Sequence, residues 1–223
     1  GFAAIPEIWG SDVFTGYFGK GGIEQGGRYR PLSQTVFAVC HGLFGPIPFI
    51  GHLLNVVLYA LTCVLLFVLL RRIFPERAGT SLWTNIPFLA TLLYALHPLH
   101  VEVVANIKSL DEILAMGFAV LTAWYALRAV EAHRTRNLVL SGTCFFLALA
   151  AKENAITFLA VVPLVLFYTG ASRNAILRAT LLLLAPTALY FLLRASALGP
   201  TPAIAPIDNY LTHTRGLWSW LFT

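Results

Sequence analysis

Residues 48–72 read PFIGHLLNVVLYALTCVLLFVLLRR. From Pro48 to Leu70 there is no Asp, Glu, Lys or Arg, and the run closes on Arg71-Arg72. A bilayer core takes ~20 consecutive apolar residues as helix, because lipid offers no partner to a bare peptide group. The stretch is therefore a membrane-spanning helix, and it fixes the solvent for the rest of the chain. Composition agrees: 58% of the 223 residues are hydrophobic and only 11% charged, with a mean hydropathy of +0.75. A soluble domain carries about a quarter charged residues. The length allows about six spans.

Downstream, apolar runs predict helices over Trp83–Leu96, stopping at His97-Pro98, then Ile113–Val130, Leu138–Ala151, Ile156–Tyr168 and Ile176–Leu193, the last bent at Pro186. Upstream, Ile5, Ile8, Trp9, Val13, Phe14, Tyr17 and Phe18 recur at helical spacing, which predicts an interfacial amphipathic helix over Ile5–Phe18. Gly19–Gly27 is glycine-rich and reads as a loop, followed by the basic shoulder Arg28-Tyr29-Arg30-Pro31-Leu32. The fold class is thus an all-α integral membrane bundle in three regions. Residues 1–45 form a non-cytoplasmic interfacial helix and loop, 46–195 the transmembrane domain, and 196–223 a non-cytoplasmic loop and the start of a further helix. The polar opening at Gly1 and the apolar Gly216–Thr223 lead us to expect that the chain is truncated at both ends.

Six spans alternate two sets of loops. One set holds Arg71, Arg72, Arg77, Arg128, Arg134, Arg136, Arg173 and Arg178 against Glu76 and Glu131. The other holds the remaining basic residues together with nearly every carboxylate. Basic residues are almost equally shared, but the first set has them in short loops with few acids, which marks the cytoplasmic side. Any chemistry then faces periplasm or lumen. The membrane would be the bacterial inner membrane or the endoplasmic reticulum membrane. The basic residues are scattered, not striped, which excludes a nucleic-acid partner. Cys40, Cys63 and Cys144 lack metal or redox spacing and read as small apolar residues.

On the acidic side lies His97-Pro98-Leu99-His100-Val101-Glu102, continuing through Asn106, Lys108 and Ser109 to Asp111-Glu112. Ionisable groups are costly beside spanning helices, so the cluster marks a functional site. Arg28–Pro31, Lys152-Glu153-Asn154 and Asp208-Asn209 fall on the same side. A carboxylate among them could orient or deprotonate an acceptor, and Arg30 or Lys152 could hold a phosphate. Plainer roles stand beside these. Ser109-Leu110-Asp111-Glu112 fits a capping box, with Glu112 satisfying a backbone N–H. His97 and His100 stand at i, i+3 without a clear third ligand, which favours local hydrogen bonds over a metal. Lys152-Glu153 could neutralise itself, and Arg28 and Arg30 could anchor headgroups.

Taken in order, Tyr29-Arg30-Pro31-Leu32, His52-Leu53-Leu54-Asn55-Val56, Ala95-Leu96-His97-Pro98-Leu99-His100-Val101-Glu102, Asp111-Glu112-Ile113-Leu114-Ala115 and Ala151-Lys152-Glu153-Asn154-Ala155-Ile156 resemble the membrane part of the transmembrane-and-tetratricopeptide-repeat protein O-mannosyltransferases. These belong with the dolichyl-phosphate-mannose protein mannosyltransferases among the GT-C glycosyltransferases. Asp208-Asn209 is similar to that family's Asp-Asn-Pro loop, with Tyr210 in place of the proline. The resemblance implies a GT-C-type bundle that moves a mannose-like sugar from a polyprenyl-phosphate donor to an acceptor, a protein hydroxyl, on the non-cytoplasmic face. No metal or other cofactor is implied. Arg30 and Lys152 would contact the donor phosphate, while Asp111, Glu102, His97 and His100 would line the reaction cavity. The family's main acidic motif precedes the Tyr-Arg-Pro-Leu element. Neither Glu7 nor Asp12 matches it, so it is expected upstream of Gly1 or absent. Its absence motivates a rival reading, a non-catalytic subunit scaffolding a larger membrane complex. A small transporter fits less well, because the spans hold almost no charge.

Overall fold

The computed structural model describes residues 1–15, 27–75, 81–132 and 134–198. Its helices are α1 (Ile5–Trp9), α2 (Pro31–Phe44), α3 (Pro48–Ile73), α4 (Ile86–Ala95), α5 (Leu99–Ala105), α6 (Leu110–Ala132), α7 (Thr135–Ala151), α8 (Phe158–Tyr168) and α9 (Arg173–Leu198). The described residues contain no strand. Single 3-10 turns at Ile107–Ser109 and Glu153–Thr157 lead into α6 and α8. The protein is an all-α membrane protein.

Helix starts follow local chemistry. Pro31 and Pro48 open α2 and α3, where a missing N–H costs nothing. The Asn85 side chain caps α4 by accepting the Phe88 N–H at 2.7 Å. Helix α2 closes on Gly45 at φ 74°, a left-handed conformation that glycine adopts without strain.

Three helices are long and apolar enough to cross a membrane: α3, α6 with its leading turn, and α9. The expected second span is broken, with α4 and α5 meeting at 63° around His97-Pro98. Helix α7 and the 153–168 segment are shorter than a full crossing. The 17 residues of α7 span about 26 Å, against ~30 Å of hydrocarbon. The six expected apolar segments therefore all form helices, but not six equal spans. Helix α9 continues through Pro186.

Apolar side chains form both the inside and the outside of the bundle, whereas a water-soluble bundle keeps them mostly inside. Helix α3 turns Asn55, Thr62 and Leu69, seven residues apart, to the inside. Its Leu53, Val56, Val57, Leu61, Val64 and Val68 remain exposed, as a lipid-facing surface requires. Helix α6 is the centre and is buried along its length. Ala115, Ala119 and Ala123, four apart, and Ala126 let neighbours approach closely. Helix α7 folds back onto it, and the Ser141 hydroxyl donates to the Thr122 carbonyl at 2.9 Å. Gly117 admits α3, since a Cβ there would meet Thr62 Oγ1 at 3.0 Å.

The amphipathic helix predicted over Ile5–Phe18 is shorter. Helix α1 ends at Trp9, and Ser11 and Asp12 turn the chain. The Ser11 hydroxyl donates to the Glu7 carbonyl at 2.7 Å. Asp12 is buried, and its carboxylate accepts the N–H groups of Phe14 and Arg28. Positions 16–18, the glycine loop to Gly26, and the predicted region beyond Leu198, including Asp208-Asn209, lie outside the described residues.

Candidate functional site

Three helix ends converge on one charged cluster. Arg30 sits immediately before Pro31, whose ring disfavours helical backbone in the preceding residue, and at φ −138° and ψ 62° Arg30 stands outside α2. Asp111 and Glu112 occupy the first turn of α6, where the helix dipole favours acids. Lys152 is extended, at φ −157° and ψ 135°, which ends α7 and begins the turn carrying Glu153.

Arg30 Nη1 donates to Asp111 Oδ2 at 2.5 Å, and Arg30 Nη2 to Glu153 Oε1 at 3.4 Å. The Arg30 and Asp111 side chains are 14% and 9% exposed, so this is an ion pair largely removed from water. The other Asp111 oxygen accepts the Glu112 N–H at 2.8 Å. Lys152 Nζ pairs with Glu112 Oε1. Two cations thus face three carboxylates. Two buried atoms of the cluster have no partner among the described residues, Arg30 Nε and Glu153 Oε2.

Burial acting alone would raise the Glu153 pKa. Hydrogen bonds from its own backbone and from Arg30, with the guanidinium charge, outweigh that and hold the carboxyl below its usual range. Burial acting alone would lower the Arg30 pKa, and the Glu153 and Asp111 carboxylates more than compensate. Both groups are therefore charged at neutral pH.

Of the residues singled out in the sequence, Arg30 and Asp111 are brought together, and Lys152 joins them through Glu112. Glu112 does not close the expected capping box. Its side chain reaches Lys152, while Ser109's N–H bonds to the Asn106 carbonyl at 2.9 Å. The cap here is Asn106, whose side chain accepts the Lys108 N–H at 3.1 Å. His97, His100 and Glu102 make no hydrogen bond or ion pair with Arg30, Asp111 or Lys152. Glu102 is exposed, and exposed His97 accepts the Leu99 N–H at 3.3 Å. His100 Nδ1 lies 2.7 Å from the Tyr94 carbonyl and 2.8 Å from Tyr59 Oη. A carbonyl only accepts, so the Nδ1 carries a proton and donates to it. Among the described residues, no three His, Cys, Asp or Glu side chains are placed to share a metal ion.

Glu153 is Arg30's second partner, although its adjacency to Lys152 in the sequence pointed to a local pair instead. The tyrosines carried no such signal in the sequence. The Tyr59 hydroxyl lies 3.2 and 3.1 Å from the Tyr94 and Ala95 carbonyls left open where α4 breaks. The Tyr29 hydroxyl donates to the Trp9 carbonyl at 2.9 Å, and Tyr190 on α9 donates to the Tyr29 carbonyl at 3.1 Å. These bonds hold Tyr29, the residue before Arg30, to α1 and to α9. Asn55, in a motif quoted above, is fully buried and donates to the Asn106 carbonyl at 3.0 Å, tying α3 to the turn ahead of Asp111.

Fold and site together define an integral membrane protein that gathers paired charges at one end of its central helix. The chain belongs to the dolichyl-phosphate-mannose-protein mannosyltransferase family, whose pattern its residues 31–198 match. It is 35% identical over 114 residues to the human protein O-mannosyl-transferase TMTC1, covering 49% of this chain and 12% of that protein. To human protein O-mannosyl-transferase TMTC2 it is 33% identical over 138 residues, 60% of this chain and 16% of the relative. To the Drosophila melanogaster protein O-mannosyl-transferase Tmtc3 it is 30% identical over 149 residues, 58% and 16%. The matched segments thus span about an eighth to a sixth of these relatives' lengths. No solved structure matches it.

Proposed function

We propose that this chain is the membrane part of a glycosyltransferase that moves a mannose-like sugar from a polyprenyl-phosphate donor to a protein hydroxyl on the non-cytoplasmic face. The observation that carries this reading is the Arg30–Asp111 ion pair, joined to Glu153 and neighboured by Lys152–Glu112, in a chain of this family. A lipid phosphate needs fixed cations near the membrane surface, and Arg30 and Lys152 supply them.

Exposure orders their use. Glu112 is 42% exposed, so an arriving phosphate displaces it from Lys152 at small cost. Asp111, tied to Arg30 and to the Glu112 N–H, holds the guanidinium in place. His100 is the candidate to accept a proton from the attacking hydroxyl, with His97 and Glu102 near it at the break. The donor is the only small molecule required besides the acceptor.

A second reading has one observation in its favour: every charge of the cluster is already paired, as in a scaffold. The test is transfer from polyprenyl-phosphate mannose to a hydroxyl-bearing peptide by the full-length protein. Asp111→Asn should cut transfer at least tenfold, whereas Glu131→Gln, at the other end of α6, should leave it unchanged. No transfer by the wild type would overturn the enzyme in favour of the scaffold.

A further inference from the structure

A cavity of about 200 Å³ opens beside the cluster, between α1 with its following turn and the start of α2. Glu7, Ser11, Asp12, Thr15, Arg30 and Gln34 supply its polar lining. Asp12 is spent on the backbone N–H groups of Phe14 and Arg28. The side chains of Glu7, Thr15 and Gln34 have no hydrogen-bond partner among the described residues. Arg30 forms one part of the wall, and its buried Nε–H has no acceptor among the described residues. Buried donors are normally satisfied, so an unpaired one beside a polar cavity calls for a ligand.

The size and chemistry of the cavity narrow what that ligand is. Pockets for drug-sized ligands run to about 300–1,000 Å³, and this one suits a single small ring. A carboxylate, a primary amide and a hydroxyl offer acceptors and donors in the mixture that a polyhydroxylated ring presents in return. A carboxylate such as Glu7 accepts from two neighbouring hydroxyls at once, but it repels phosphate. The phosphate therefore belongs at the Arg30 end and the ring at the Glu7 and Gln34 end. Building on the glycosyltransferase reading, we infer that this cavity holds the transferred sugar of the donor, with Glu7 and Gln34 as its specificity-determining contacts.

The inference concerns recognition of the ring, separately from recognition of the phosphate, and binding can divide the two. The full-length protein in nanodiscs is titrated with polyprenyl-phosphate mannose and with the bare polyprenyl phosphate. The wild type should hold the mannosylated lipid about tenfold more tightly. Glu7→Gln and Gln34→Ala should each remove most of that preference and leave the affinity for bare polyprenyl phosphate as it was. Arg30→Ala should weaken both lipids. Glu7 is exposed, so its variant keeps the fold, and Gln34→Glu, which retains an acceptor, should keep part of the preference. Equal wild-type affinity for the two lipids overturns the inference, as does a preference that survives both substitutions; either leaves the glycosyltransferase reading standing. Failure of the wild type to bind either lipid overturns that reading first, and the inference with it.

Discussion

Arg30 is the residue on which the cluster depends, and the sequence could nominate it only as one cation among several. Its two partners lie 81 and 123 positions away, and no local pattern specifies such pairings. Asp111 was legible because an acid at the head of an apolar helix is conspicuous. Glu153 was not, because the neighbouring Lys152 offered a sufficient local partner. The held-down Glu153 carboxyl has a consequence for acid stability. A group whose pKa is lower folded than unfolded adds stability above the unfolded value, ~4.3, and that stability is lost as pH falls through the folded value. In detergent, the full-length protein should therefore lose stability progressively below about pH 4. Glu153→Gln should flatten that part of the profile in a thermal unfolding series. An unaltered profile would mean that the Arg30–Glu153 contact contributes nothing in the folded protein.

At the scale of elements, spans were legible wherever a run was long and uncharged, as in α3. Boundaries set by distant contacts were not. The 63° break after α4 follows from His97-Pro98, but what holds it is Tyr59 on α3, invisible without the packing. Helix α1 stops early because Asp12 turns to cap the chain at Arg28, a long-range bond that periodicity cannot show. The α6–α7 contact depends on small residues, and it should respond to size more than to polarity. Ala119 is 1% exposed, so Ala119→Leu should destabilise the bundle by about 1–3 kcal/mol through overpacking. Val64→Leu, on the lipid-facing side of α3, should shift the melting temperature little. Equal shifts for the two would place lipid, not α7, against that face of α6.

Across the whole molecule, α6 separates two charged ends. Asp111 and Glu131 are 20 residues apart, about 30 Å along a helix, which is the thickness of the hydrocarbon core. At the second end Arg72 Nε donates to Glu131 Oε1 at 3.0 Å, an exposed pair far from the cluster. The charge partition read from the sequence assigns that end to the cytoplasm. Single cysteines at Lys108 and at Arg134, in a protein freed of Cys40, Cys63 and Cys144, report on this directly. The Lys108 site should label with an impermeant thiol reagent in intact cells and the Arg134 site should not. The reverse pattern would put the cluster on the cytoplasmic side.

On the proposed function Arg30 holds a lipid-linked phosphate, and donor binding compared between two arginine variants tests that contact. In the full-length protein, Arg30→Ala should weaken binding of polyprenyl-phosphate mannose roughly ten- to a hundredfold, the worth of a lost charge-assisted hydrogen bond of ~1.5–3 kcal/mol. Arg72→Ala, which removes an equal charge from the last turn of α3 beside Glu131, should change it less than twofold. Equal and small effects from the two substitutions would overturn the phosphate contact and leave Arg30 as an anchor between helices.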